Sequence, residues 1–499
     1  MRSAAVVLIA FVLAFVAGCR QGHRPETAAV PVGPSSGTVG AEYMFSSCAT
    51  DPDGDDVAIR FDWGDGDTSD WSSWVRPGDT VTMSYAWTAP GTFNAKAQAK
   101  ARNFTISGWS DAHSLVVASG WFRSFGGAGD DSALSVQQTS DGGYIITGCT
   151  DSTYGERPRL MMTRVGANGD LLWSRVFGDG VFGWGRSVLQ ARDGGFVVVG
   201  CKYLDVWIIK TDAEGNMVWE KTYGGPDWDE GYSVQQTKDG GYIVSGTLRE
   251  GLLLLKADTN GDVEWAKVLV RGWCEGRSVQ QTQDGGYVIA AMDCNEGFPN
   301  NLLLIKTDAS GDTLWSRACG GSLPYYPGMS VQQTDDGGYV ACCTRWNSNR
   351  ETDAALVRTD STGQLLWVKN YGGGREDWGN SLAKTLDGGF VIAGNTANNG
   401  TTGFDVWLIK TDADGDTLWT RTYGGIDNDM GYSVQATSDG GYVIAGKTWS
   451  EGLRSQVLLI KTDAEGNVDE GQGKDEFRIQ KSETRNQSGV VRRVLRPRP

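Results

Sequence analysis

The 499-residue sequence predicts an all-β protein with two folded parts, a small N-terminal β-sandwich and a seven-bladed β-propeller. Three observations carry that prediction. Asp-Gly-Gly-aromatic recurs at Asp141, Asp193, Asp239, Asp284, Asp336, Asp387 and Asp439, a period of about 50 residues that falls in the range of propeller blades. Each copy holds four short β-patterned runs separated by turn residues. The repeats are also out of phase with their own ends: they open on an isolated tryptophan run, Trp121–Phe125, and stop at 461–467 without one. The opening run can complete the last blade, closing the ring and hiding two sheet edges.

Composition bounds what such a chain can do. Glycine is abundant, 70 residues, but it recurs beside tryptophans and β-branched residues at fixed places, so it marks turns rather than disorder. A formal charge of −16 argues against nucleic acid, whose phosphates need clustered Lys and Arg. Such a surface suits solubility outside the cell. The two histidines, His23 and His113, both precede the repeats. Ser-His-Asp, Cys-His and His-ligated zinc chemistry are therefore excluded from the propeller.

Residues 1–18 read as a secretory signal: Arg2, an apolar stretch from Ala4 to Phe15, then Val16-Ala17-Gly18-Cys19. The stretch is short for a membrane span. Its ending resembles the bacterial lipobox, which implies diacylation of Cys19, a membrane partner through that anchor, and placement at the outer membrane or cell surface. Residues 19–40, with Pro25, Pro31, Pro34 and Gly37, are expected to be a flexible tether.

Short β-runs over 41–118, with Gly, Pro and Asp between them, predict an immunoglobulin-like sandwich. Phe61-Asp62-Trp63-Gly64-Asp65-Gly66, Tyr85 and Ala89-Pro90-Gly91-Thr92-Phe93 resemble PKD domains. The resemblance implies a spacer or adhesion module, with Trp63 a core anchor and Asp65 capping the turn that follows. Asp51, Asp53 and Asp55 form a carboxylate run that could hold calcium, since hard cations want clustered oxygens. The run lacks EF-hand spacing, and the competing reading is a solvated Asp-Gly turn.

The propeller is expected over 119–468. Tryptophans at 121, 173, 219, 265, 315, 367 and 419 belong to a repeated unit in which a Lys/Arg-x-Asp-x-x-Gly turn leads into the tryptophan, as in Lys410-Thr-Asp412-Ala-Asp-Gly415-Asp-Thr-Leu-Trp419. The unit resembles the tryptophan-docking motif of quinoprotein propellers and, more loosely, the Asp-box of sialidase propellers. Gly415 would take the turn while an indole packs against a neighbouring blade. A serine recurs at 135, 187, 233, 278, 330, 381 and 433. Catalytic residues do not come in sevens, so Ser, Trp and Asp-Gly-Gly are scaffold. Asp131, Asp229, Asp377 and Asp429, each four residues before that serine, are expected to cap turns.

The repeated turns join strands one to two and three to four, so they share one end of the sheets. The loops at the other end vary and mark the functional face. They carry the ligand-binding candidates Trp184, Trp228, Trp273, Tyr326, Trp346, Trp378 and Trp449. Flat rings beside Asn, Asp and Arg suit sugars or protein loops; the alternative is that some rings plug seams between blades. Cys274 and Cys294 are symmetric about the Asp284 turn, which permits a disulfide across a hairpin. Residues 469–499 look like a disordered basic tail. The expected function is a non-catalytic surface binding or adhesion lipoprotein with a glycan or protein ligand. The alternatives are an outer-membrane assembly scaffold and an enzyme, either glycan-active or quinoprotein-like, the latter because adjacent Cys342-Cys343 resembles the pair found in some quinoprotein dehydrogenases.

Overall fold

The computed structural model describes residues 23–39, 42–88, 91–118, 120–127, 129–151, 157–178, 180–272, 274–293, 301–322, 329–347, 349, 351–373, 375–397, 403–449, 454–468 and 478–483. Every regular element among them is a β-strand. The chain divides into two compact units, one built essentially from residues up to 116 and one from residue 117 onward.

The first unit pairs its strands in the order Ser36–Thr38, His113–Ala118, Gly91–Ala101, Val57–Asp62, with Ile106–Trp109 also on Gly91–Ala101. A second sheet pairs Tyr43–Ser47 with Val81–Tyr85. Its core is aromatic. Trp63 is 2% exposed and stacks between Phe61 at 5.2 Å and Tyr85 at 4.8 Å. Trp87, wholly buried, donates Nε1 to the Trp63 carbonyl at 3.2 Å. Trp63 is thus the anchor expected of it, and Asp65 Oδ1 caps its turn by accepting the Asp67 N–H at 3.1 Å.

The stretch expected as a tether departs from that expectation after about residue 25. Glu26 N–H donates to Thr50 O, Ala29 N–H to Cys48 O, and Val32 exchanges both backbone bonds with Ser46. Proline there reads as a linker but is also what an edge strand tolerates. The fold therefore begins well before residue 41.

The second unit is a run of four-stranded antiparallel sheets, called here I (131–177), II (183–223), III (230–271), IV (275–322), V (329–371) and VI (377–424). Sheet VII combines Asp429–Ala436, Tyr442–Thr448 and Gln456–Thr462 with Trp121–Phe125 as its fourth strand, Lys461 opposite Trp121. Residues 478–483, expected to be disordered, instead form a strand, Arg478–Glu483, that pairs with the fourth strand of sheet VI (Thr417–Gly424) from Trp419↔Glu483 to Gly424↔Arg478. An unpaired outer edge is a template for any chain segment that reaches it, a possibility that composition does not reveal.

Three series of contacts run from sheet to sheet. Buried apolar clusters each take side chains from two successive sheets, such as Val288, Leu302 and Leu304 of IV with Val331 and Tyr339 of V. One joins sheet VII (Val443, Leu459) and Trp121 to sheet I (Ala133, Tyr144). The repeated serine accepts a backbone N–H from the next sheet: Ser135 from Val188, Ser187 from Val234, Ser233 from Val279, Ser278 from Val331, Ser381 from Val434 and Ser433 from Val136, all at 3.2–3.3 Å. The repeated tryptophan lies against the turn glycine of the following sheet, Trp173 on Gly215 through to Trp419 on Gly466, with Trp121 on Gly169 of sheet I. Gly415 holds φ +78°, and a Cβ there would come within 2.7 Å of Trp367, so both the turn and the indole demand glycine.

The turn end carries one further repeat. Arg164, Lys210, Lys256, Lys306, Arg358, Lys410 and Lys461 are all buried. Each pairs with the aspartate of its own Asp-Gly-Gly turn at 2.5–3.1 Å. Where lysine serves, it also donates to a backbone carbonyl, as Lys306 does to Thr307 O at 2.8 Å. A buried charge needs both kinds of partner.

Candidate ligand-binding site

At the other end of the sheets the first strands share an irregularity. The register shifts between Gly185 and Ser187, Gly231 and Ser233, Gly276 and Ser278, Gly379 and Ser381, and Gly431 and Ser433. A bulge leaves one residue unpaired and re-aims its side chain. The residues so placed are Arg186, Tyr232, Arg277, Asn380 and Tyr432. While the glycine and serine are repeated, the residue between them is not.

Several of these meet. The Arg186 guanidinium lies 5.5 Å and the Arg277 guanidinium 4.5 Å from the Tyr232 ring. Arg186 Nε donates to Glu230 Oε1 at 2.5 Å, and Arg277 Nε to Glu275 Oε2 at 2.7 Å. Glu230 is only 1% exposed, whereas the side chains of Arg186 and Arg277 keep 30% and 20% exposure. Burial works against the Arg186 charge and Glu230 more than offsets it, so the guanidinium is held protonated. The Tyr232 hydroxyl is pushed far up by burial and then by Glu230.

An aromatic shelf adjoins the pair. Trp184 and Trp228 sit 5.7 Å apart, with Phe182 4.8 Å from Trp184. Both indoles donate Nε1 to Glu230, Trp228 at 3.4 Å, so one buried carboxylate orients two rings and one guanidinium. Arg186 also lies 5.3 Å from the Trp184 ring. From sheet VII, Lys447 Nζ stands 4.4 Å from the Trp449 ring and 5.8 Å from Tyr432. Burial lowers the Lys447 pKa. Cys149 lies within the electrostatic reach of both Arg186 and Lys447, but burial pushes its thiol up, against nucleophile use.

The other candidates divide. Trp378 packs on Phe404 at 5.2 Å and donates Nε1 to Thr352 Oγ1 at 3.1 Å, which is the seam-filling role. Trp346 is 40% exposed at the end of Tyr339–Trp346. Trp273, Tyr326, Cys19 and Cys294 lie outside the described residues. Arg186, Glu230, Tyr232, Arg277 and Lys447 escape a reading of loop aromatics because they sit in strands. The signal for three of them is the variable middle position of a Gly-x-Ser that recurs in six of the seven copies, Ala133 standing for the glycine in the first.

The remaining expectations also find their places. Asp131, Asp229, Asp377 and Asp429 cap turns as expected, their Oδ2 accepting Gly127, Gly225, Gly373 and Gly425 N–H at 2.6–2.9 Å. In the first unit, Asp51 Oδ1 accepts the N–H groups of Asp53 and Asp55 at 2.9 and 3.3 Å, while Asp53 Oδ1 bonds His23 Nδ1 at 2.9 Å. The run is therefore built as a hydrogen-bonded turn, and among the described residues no group of three or more His, Cys, Asp or Glu is placed to share a metal. Cys274 is buried just before the strand Glu275–Gln281, and Cys294, the other half of the expected pair, lies outside the described residues. Cys342 and Cys343 face opposite ways, one packed between sheets V and VI, the other between IV and V. Burial pushes Cys343 up to about 12 and raises Cys342 as well. They are core residues and do not line one cavity together.

No family model matches the chain. The regulatory protein FlaEY of Caulobacter vibrioides is 30% identical over 116 residues, covering 20% of this chain and 12% of that protein. The PKD domain of an M14-like peptidase from Thermoplasmatales archaeon SCGC AB-540-F20 is 29% identical over 19% of this chain and 97% of its own, with a TM-score of 0.18. The BP39L lectin from Burkholderia pseudomallei is 9% identical, covering 68% of this chain and 98% of its own, with a TM-score of 0.44. The chain is similar in part to each of these.

Proposed function

We propose that the second unit is a seven-bladed β-propeller that binds a glycan or protein ligand on its variable-loop face, without catalysis. In this reading the chain is exported, lipid-anchored through Cys19, and carries a PKD-like sandwich before the propeller. Ring closure is supported by the contact series that pass from sheet VII and Trp121 back to sheet I. The observation that carries the binding role is the shelf of Phe182, Trp184 and Trp228, organised by buried Glu230 beside a part-exposed guanidinium. Ordered rings joined to a polar group are what a recognition surface supplies at low entropic cost.

The test is a ligand screen, by glycan array and by cross-linking to surface proteins, on the full chain and on a Trp184→Ala/Trp228→Ala variant. A ligand retained at full strength by the variant would refute the site. Incorporation of labelled palmitate, abolished in Cys19→Ser, would check the anchor.

A further inference from the structure

Resting on the binding reading above, we infer that the centre of the variable-loop face takes the carboxylate of an acidic saccharide, a uronate- or sialate-type sugar, between Arg186 and Arg277 with the ring on the Trp184–Trp228 shelf. The charge arrangement motivates it. In a chain of net charge −16, two guanidiniums, Arg186 and Arg277, meet on the same Tyr232 ring. Two carboxylates touch them, Glu230 and Glu275.

The donors are spent unevenly. Glu230 takes the Nε side of Arg186, and among the described residues neither Nη of that guanidinium bonds to protein. Glu275 takes Nε and Nη2 of Arg277, leaving Nη1. Both guanidiniums lie against one buried ring, so an anion between the open Nη edges would face both charges at once. A guanidinium edge matches a carboxylate in plane and spacing, which a lone ammonium does not.

The sugar half of the inference comes from the shelf. Trp228 is 39% exposed, its indole held in orientation by Glu230. Trp184 lies 5.7 Å from Trp228 and 5.3 Å from the Arg186 guanidinium. A pyranose lying on the rings would therefore present an acidic substituent toward the arginines. An acidic peptide could satisfy the arginines but would leave the shelf unused.

The experiment probes the full-length protein on an array of uronate- and sialate-bearing glycans printed beside their methyl esters. Free acids should bind, and esters should bind at least ~10-fold more weakly, the loss expected for a charge-assisted bond. Arg277→Gln should weaken acid binding by roughly 10- to 100-fold in protein that still melts cooperatively, and Arg277→Lys should restore part of it. Arg186→Lys is the second variant, because Arg186 also contacts buried Glu230 and its loss could disturb folding. Equal binding of acids and esters would overturn the carboxylate claim while leaving the binding face intact. Undiminished acid binding in Arg277→Gln would overturn the location. Poly-L-glutamate bound in preference to every glycan would replace the saccharide with an acidic peptide. Silence on the whole array, alongside a cross-linked protein ligand sensitive to Trp184→Ala/Trp228→Ala, would sink this inference alone.

Discussion

At the turn end of the sheets the repeated carboxylates meet cations and hydroxyls; at the loop end the partners vary, Glu230 and Glu275 meeting arginines while Asp353 and Asp377 meet each other. Asp239 illustrates the first case: burial raises its pKa, but the Thr237 hydroxyl, Lys256 and the Gly241 N–H outweigh it and leave it lowered. The same direction holds at Asp141, Asp193, Asp284, Asp336, Asp387 and Asp439. The second case is Asp377. Burial raises it, the Thr396 hydroxyl and Gly373 N–H lower it in part, and nearby Asp353 raises it again. Asp353 is itself raised, by burial first and also by Glu351. Both carboxylates lie against the same glycine, Gly372. One end of each sheet is thus electrostatically complete by itself. The other is left with charges whose partners differ from sheet to sheet, and that is where an external partner can be chosen.

The largest effect that would break this contrast is loss of a turn-end indole. Trp367→Ala removes the ring packed on Gly415, and about 3–5 kcal/mol of unfolding free energy should go with it, read by denaturant titration. A loss no larger than that of an exposed loop residue would mean that the indoles do not tie sheet to sheet.

Next in size is Ser233→Ala. It leaves the Val279 N–H without its acceptor, at a cost of about 1–3 kcal/mol. Amide hydrogen exchange should quicken first at Val279; unchanged protection there would show the serine series to be incidental.

Acid titration sharpens the contrast by sign. The Asp-Gly-Gly carboxylates have lowered pKa values in the folded state, with Asp336 brought to about 2 by the Thr334 hydroxyl first and Arg358 among the rest. Their contribution is present above the ordinary carboxylate pKa and is lost as pH falls through the folded values. Asp131, Asp353 and Asp377 act oppositely, since their raised values favour the protonated, folded form as pH falls. The melting temperature should therefore drop between about pH 4 and pH 2. An Asp353→Asn/Asp377→Asn variant should gain most over the wild type near neutral pH, where both carboxylates are charged, and lose that advantage in acid. An advantage independent of pH would mean that the charges are not what the substitution relieves.

The smallest effect belongs to Trp346→Ala. This ring is 40% exposed, and its removal should change stability by no more than about 0.5 kcal/mol. A loss comparable with Trp367→Ala would place it in the scaffold.

Much of this architecture could be read from residues alone because it is repeated. A seven-fold Asp-Gly-Gly, a seven-fold tryptophan and an unpaired first run state the sheets, their turns and the strand exchange at Trp121–Phe125. Repetition makes the same local physics visible several times over, so turn glycines and cap aspartates separate from noise. What the strand pattern could not place was anything that depends on one sheet meeting another. Arg186, Tyr232 and Arg277 come from three different sheets and gather because a bulge re-aims each of them toward its neighbour. The hydrogen-bonded strand Arg478–Glu483 likewise exists only where an outer edge is within reach. Periodicity determines which face of a strand is buried, because side chains alternate; only three-dimensional packing decides which variable residues share a site, because that depends on the angle between successive sheets.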